Sequence, residues 1–176
     1  MMYRKNIATG CGMWALWDFE TYKAIDDYDK WEPLFCEDED IQKQVETSNF
    51  VPVYIHSDGV CSFEVKIDGS LSEREQKYVC VSSEKYLLHS NGKVFLSGID
   101  DIGGSVSESG AIALPLEAGY YAVTVHLLSW NEEPGAYLED GSVSPDSLPD
   151  FVVIIESGAA PDGEYRKTIE TFDEPQ

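Results

Sequence analysis

Residues Tyr120 to Trp130 read YYAVTVHLLSW, and this run decides the fold class. Side chains of a strand alternate between its two faces. Here Tyr121, Val123, Val125 and Leu127 fall on one face, and Tyr120, Ala122, Thr124, His126 and Leu128 on the other. The run is rich in β-branched and aromatic residues. It predicts the longest strand of the chain.

Reading outward from it, Phe151 to Glu156 is a short apolar run that predicts a central, well-covered strand. Asn131 to Pro149, between the two, is a loop of Pro, Gly, Ser and acids. Upstream, Ala111 to Leu114 is a short strand that leads in through Pro115 and Gly119, after a Gly/Ser/Asp loop over Ile99 to Gly110. Asn91-Gly92 is a strong turn signal, since both residues tolerate positive φ. It predicts a turn from a strand at Tyr86 to Ser90 into one at Lys93 to Ser97. Tyr78 to Ser82 is a further strand, preceded by a polar loop over 68–76. Cys61, Phe63, Val65 and Ile67 alternate with Ser62, Glu64, Lys66 and Asp68, as in a strand with one wet face. Ser57-Asp58-Gly59 predicts a hairpin joining it to Phe50 to His56, where Pro52 marks an edge or a strand start.

The N-terminal quarter reads differently. Met13 to Phe19 predicts a short strand ending at Asp18, which then caps a helix over Glu20 to Asp26 with Phe19, Tyr22 and Ile25 inward. A second helix is expected over Asp38 to Thr47, with acids crowding its first turn. The sum is a mainly β protein: an antiparallel β-sandwich or strongly bent sheet with two short N-terminal helices. The expected organisation is one β-rich domain over 1–156 and an acidic tail over 157–176, with Tyr165 to Phe172 a candidate edge strand.

Charge is the outlying quantity. Among 176 residues, 33 acids face 12 bases, for a net charge of −21. Solubility of a small domain needs a surplus of only about 2 to 8 charges. The excess is either a halophilic or solubilising surface, or a field that steers a basic partner. It argues against nucleic acid and anionic membranes as direct partners. The acids are also uneven. Residues 18–40 carry ten against Lys23 and Lys30, and residues 94–165 carry thirteen with no Lys or Arg. Met1 to Gly12 has no apolar leader region, and no run approaches a membrane span, so a cytoplasmic location is expected.

Catalytic signatures are missing. The four cysteines, Cys11, Cys36, Cys61 and Cys80, form no CxxC pair and read as small buried hydrophobes. His56, His89 and His126 make no metal spacing. His56 with Asp58 is either a metal or catalytic pair, or a polar pair flanking a turn. Gly103-Gly104 lacks the lysine and helix of a phosphate loop. Asp140, Ser142, Ser144 and Asp146 form an oxygen-rich alternation, the best calcium candidate, but without the glycine and glutamate of the twelve-residue calcium loop. No enzyme activity and no cofactor are therefore expected. Trp130 and Tyr137 lie beside Glu132, Glu133, Glu139 and Asp140, and aromatics ringed by acids suit a basic partner. The alternative for Trp130 is that it packs on the core at its strand's end. Asp26, Asp27 and Asp29 are a second candidate contact.

Three segments carry a family resemblance: TGCGMWALWDFETYKAIDDYDKW (Thr9 to Trp31), SNFVPVYIHSDGVCSFEV (Ser48 to Val65) and LPLEAGYYAVTV (Leu114 to Val125). They resemble small acidic bacterial immunity-type proteins found beside polymorphic toxins. More distantly, the second and third resemble the competence-associated nuclease inhibitor (competence protein J-like) family. The resemblance covers about a third of the chain and consists of strand and turn patterns. It implies a cytosolic inhibitor that neutralises a basic cognate toxin or nuclease. The alternative is a calcium- or small-ligand-binding β-sandwich module.

Overall fold

The computed structural model describes residues 1–173; the last three residues of the expected 157–176 tail lie outside the described residues. Two paths of extended chain explain the architecture. One is β1 (Met2–Thr9) followed by β2 (Met13–Asp18); the other is β3 (Phe50–Tyr54) followed by β4 (Gly59–Ile67). β1 pairs antiparallel with β4 from Met2↔Lys66 to Thr9↔Gly59, and β2 with β3 from Met13↔Tyr54 to Trp17↔Phe50. The breaks in the two paths lie side by side, where Ile55 N donates to Gly12 O at 3.1 Å. Each path thus leaves one sheet and enters another.

The hairpin expected at Ser57-Asp58-Gly59 does not form, because β3 and β4 belong to different sheets. Turn residues allow the chain to reverse or bend, but they do not choose the strand that pairs afterwards. His56 takes the left-handed conformation (φ 63°) at this corner, with its ring 4.2 Å from Tyr54. Gly12 is left-handed as well (φ 68°), and a Cβ there would sit 3.2 Å from Ser57 N.

The first sheet has the order β1-β4-β10-β9, with β5 (Val79–Ser82) and β6 (Tyr86–Ser90) sharing the far edge of β9 (Gly119–Leu128). β10 (Phe151–Ser157) is central, antiparallel to β9 and parallel to β4. That parallel pair corrects the purely antiparallel expectation: the long 129–150 connection returns β10 between β9 and β4. The second sheet has the order β3-β2-β7-β8, with β7 at Val94–Gly98 and β8 at Ile112–Leu114.

Both sheets contribute to one hydrophobic core. The fully buried Trp14 of the second sheet lies 5.4 Å from Phe63 and 6.2 Å from Phe151 of the first. Both buried indoles are satisfied, Trp14 Nε1 donating to Ile7 O and Trp17 Nε1 to Ser97 Oγ, each at 3.0 Å.

The junction between strands and helices rests on Asp18, which is fully buried. Its carboxylate accepts from Thr21 N (3.0 Å), Thr21 Oγ1 (2.7 Å), Asn91 N (2.8 Å) and Asn91 Nδ2 (2.8 Å). Burial opposes the charge, but the Asn91 and Thr21 donors outweigh it and hold the carboxyl below its ordinary range. The same bonds fix the Asn91-Gly92 turn, which passes the chain from β6 in the first sheet to β7 in the second.

Four helices are present among the described residues, not two. The helix expected over Glu20 to Asp26 stops after one turn as α1 (Phe19–Tyr22), and α2 (Tyr28–Phe35) starts afresh with Asp27 as its cap, accepting from Lys30 N at 2.9 Å. α3 (Asp38–Glu46) lies where expected. α4 (Glu73–Tyr78) occupies the supposed polar loop and opens on a capping box between Ser72 and Glu75.

After β10 the chain is irregular but docked. Phe172 is buried against Phe151, its N–H donates to Tyr54 O at 2.8 Å, and Tyr86 Oη donates to Thr168 O at 2.6 Å. Across Tyr165 to Phe172 the β pairing is a single parallel bridge, Thr171 to Tyr54. Among the described residues no helix is long and apolar enough to cross a membrane.

Candidate functional site

Alternation in β4 sends Phe63 and Val65 into the shared core and leaves Glu64 and Lys66 on the other side of the first sheet. Strand register aligns Arg4, Glu64, Val152, His126 and Ser82 in one row across that outer face. α4 brings Glu75 onto this face beside Glu64, while Arg4 and Ser82 at the ends of the row are exposed. Lys66 Nζ lies 2.7 Å from Glu75 Oε2 and 3.6 Å from Glu64 Oε1, and Arg4 lies 3.9 Å from Glu64.

The two buried carboxyls are shifted in opposite directions. Burial raises the Glu64 carboxyl above its ordinary range and Glu75 beside it raises it further, against Lys66 and Arg4. Burial also opposes charge on Glu75, but Lys66 and the Ser72 N–H (2.7 Å) hold it charged, below the ordinary range. Burial lowers the His126 imidazole, whose Nδ1 is 2.7 Å from Ser82 Oγ. Glu75 ties α4 to this cluster, in which Ser82 is exposed. Around it Leu128, Leu148, Val152 and Ile154 form a second, small core with Leu71, Tyr78, Val79 and Trp130.

The 129–150 loop is tied to that cover. Arg74 of α4 grips Glu133 through Nε at 2.8 and 3.0 Å and through a terminal nitrogen, and donates to Asp146 O at 2.8 Å. Trp130 Nε1 donates to Asp150 Oδ1 (2.7 Å), while Asp150 Oδ2 accepts from Ser62 N (2.7 Å). Between the ties, Ala136 to Ser144 is a small hairpin. Tyr137 bridges Val143, Ser144 N donates to Ala136 O (2.8 Å), and Leu138 N donates to Ser142 O (2.8 Å). Gly141 supplies the left-handed residue of its turn (φ 84°). Asp140 Oδ1 accepts from Ser142 N at 3.0 Å, and Ser144 Oγ accepts from Asp146 N at 3.2 Å. The alternating oxygens considered for calcium therefore close turns. Among the described residues no group of three or more His, Cys, Asp or Glu side chains could hold a metal ion.

The residues singled out in the sequence fall in two places. Trp130, half-buried, has its ring 5.6 Å from that of the exposed Tyr137 at a 41° tilt; Glu132, Glu139 and Asp140 are exposed on the same loop, and Glu133 is engaged by Arg74. Asp26, Asp27 and Asp29 lie elsewhere. Asp26 pairs with Lys30 at 2.7 Å, and Asp27 caps α2. Asp26 and Asp27 line an open cleft with Tyr28, Trp31, Asp100 and Asp101, and that cleft shares no residue with the groove beside Trp130. Burial, then neighbouring Asp100, raises the Asp101 carboxyl. Gly103-Gly104 is accounted for here: Cβ atoms would come within 2.6 Å of Ile25 O and 2.4 Å of Lys23 O. The sequence reading did not single out Arg74, Val60, Leu138 or Val143. Asp140-Gly141, a turn pair, was the available signal for the hairpin.

No family model matches the chain, and no curated protein matches it by sequence. Two solved structures share its fold. One is ComJ of Bacillus subtilis, an inhibitor of the DNA-degrading activity of NucA: TM-score 0.53, 8% identity, covering 90% of this chain and 99% of ComJ. The other is the protein of crocagin biosynthetic gene J: TM-score 0.53, 12% identity, covering 89% of this chain and 97% of that one. At these identities the likeness establishes a distant ComJ-like fold.

Proposed function

We propose that this chain is an immunity-type inhibitor, acting in the cytosol, that binds a basic protein and neutralises it, with a nuclease domain as the partner class. The observation that carries the reading is the fold it shares, over nearly its whole length, with an inhibitor of a DNA-degrading enzyme. The charge of −21 supports it. A nuclease must hold a polyanion and so presents a basic surface. An acidic protein meets that surface with complementary potential and accelerated encounter. The contact surface in this reading is the 129–150 loop, with Trp130 and Tyr137 among Glu132, Glu133, Glu139 and Asp140, and the Asp26, Asp27 and Asp29 stretch extends the field. No catalytic role is assigned to the chain.

The test is a panel of basic nuclease domains, including any encoded beside this gene, assayed for binding by calorimetry and for DNA degradation. One member should bind at one to one, lose its DNA-degrading activity, and bind more weakly as salt rises, because screening acts over a Debye length of about 8 Å at physiological ionic strength. If no basic nuclease is bound or inhibited, the reading is wrong.

A further inference from the structure

Eight large hydrophobic residues are exposed among the described residues, and four of them, Val60, Tyr137, Leu138 and Val143, sit on the Ala136–Ser144 hairpin and the adjoining end of β4. Val60 and Val143 line one open groove of about 330 Å³, together with Asn6, Trp130, Pro145 and Leu148. A clustered apolar patch rimmed by polar groups marks an interaction site, whereas scattered exposed hydrophobics do not. Arg4 lines the groove on its β1 side, where it donates to Ser147 O at 2.8 Å and lies 3.9 Å from Glu64, and the hairpin side of the rim is acidic. Glu132, Glu139, Asp140 and Asp146 are exposed, and none is in an ion pair among the described residues. The stretch 94–165 supplies no Lys or Arg to neutralise them. The hairpin is also pre-formed, held by Arg74 and by Trp130 against Asp150, so little ordering is required when a partner arrives.

We propose that this patch is the docking centre of the molecule, and that its occupant is a segment of a partner protein presenting one aromatic or aliphatic side chain flanked by Lys or Arg. The apolar side chain enters the groove between Val60 and Val143, and the flanking cations meet Glu139 and Asp140. The proposal rests on the inhibitor reading for the partner's identity but not for the recognition chemistry. Division of labour follows. Rim charges set the association rate and its salt dependence. The desolvated apolar centre sets how long the complex lasts.

The probe is a synthetic peptide with a single tryptophan between lysines and arginines, followed by methyl NMR. Controls are the same peptide with alanine for tryptophan, and with glutamates for the cations. The methyl signals of Val60, Leu138 and Val143 should shift with the first peptide and not with either control. Leu138→Asp, in a chain whose melting temperature is unchanged, should abolish those shifts. Perturbations confined to the Asp26–Asp101 cleft, or equal shifts with the alanine peptide, would overturn the proposal. With a nuclease domain captured as described above, Leu138→Asp should speed dissociation at least tenfold. The pair Glu139→Gln and Asp140→Asn should instead slow association several-fold and flatten its salt dependence. If the parent chain inhibits the nuclease and Leu138→Asp dissociates no faster, the docking centre is misplaced while the inhibitor reading stands. If the peptide docks at the patch as described and no nuclease binds, the inhibitor reading fails while the docking centre stands.

Discussion

The two faces of the first sheet are built on different principles. Its inner face carries Phe63, Val65, Val125, Phe151 and Val153 against the tryptophans of the second sheet, and its few buried polar atoms are bonded. Its outer face mixes Val152 and Ile154 with Glu64, Lys66 and His126, under a short helix and a long loop held by a handful of polar ties. Burial of large side chains fixes the fold on the inner face. Discrete bonds mount the loop on the outer face, so the loop can vary while the fold persists.

Substitutions should separate these faces by size of effect. The largest loss belongs to Trp14→Ala, which removes a fully buried indole between the sheets. It should cost about 3–5 kcal/mol in denaturant unfolding. Next is Asp18→Ala, which strips both donors of Asn91 of their acceptor at the inter-sheet turn. A cost of about 2–4 kcal/mol is expected. The wild-type bonds also set a pH dependence. Because the folded carboxyl is depressed, its contribution is complete above the ordinary carboxylate range and is lost as pH falls through the lower folded value. The melting difference between Asp18→Ala and the parent should therefore shrink in acid; a constant difference down to pH 2 would show that the charge contributes nothing.

Glu64 has the opposite sign. Its folded carboxyl is raised, so the stability it contributes is present below the unfolded value and lost as pH rises through the folded one, with Glu75, Lys66 and Arg4 facing it. Glu64→Gln should melt higher than the parent near pH 8, with the gap closing towards about pH 4. The smallest effect on global stability belongs to Arg74→Ala. It should leave the melting temperature nearly unchanged, since the pair it breaks is exposed on the arginine side. Amide exchange over 136–144 should nevertheless quicken, because that loop loses its tie to α4.

Periodicity made individual elements legible. β9 and the apolar β10 lie where the spacing placed them, as does α3. Pairing was not legible at the turns. Residues 57–59 read as a hairpin closure and Asn91-Gly92 as a turn between strands, and both carry the chain from one sheet to the other. What decides them lies far away in sequence: β1, whose Arg4 and Lys5 obscure its alternation, and Asp18, 73 residues before Asn91. α4 was concealed by its polarity, although Ser72 and Glu75 spell a capping box. At the candidate site, composition pointed to aromatics among acids. It did not show that Arg74, 59 residues upstream, engages Glu133, or that Asp26 and Asp27 line a separate cleft with Asp100 and Asp101.

The most direct test of the contrast between the faces is hydrogen exchange on the chain alone and with a basic nuclease domain selected by the binding panel. New protection should concentrate over residues 130–146 and the start of β4, with the strands of the inner core unchanged. Protection confined to the α2 and 99–106 cleft, or spread evenly over the molecule, would contradict the assignment of the outer-face loop as the binding surface.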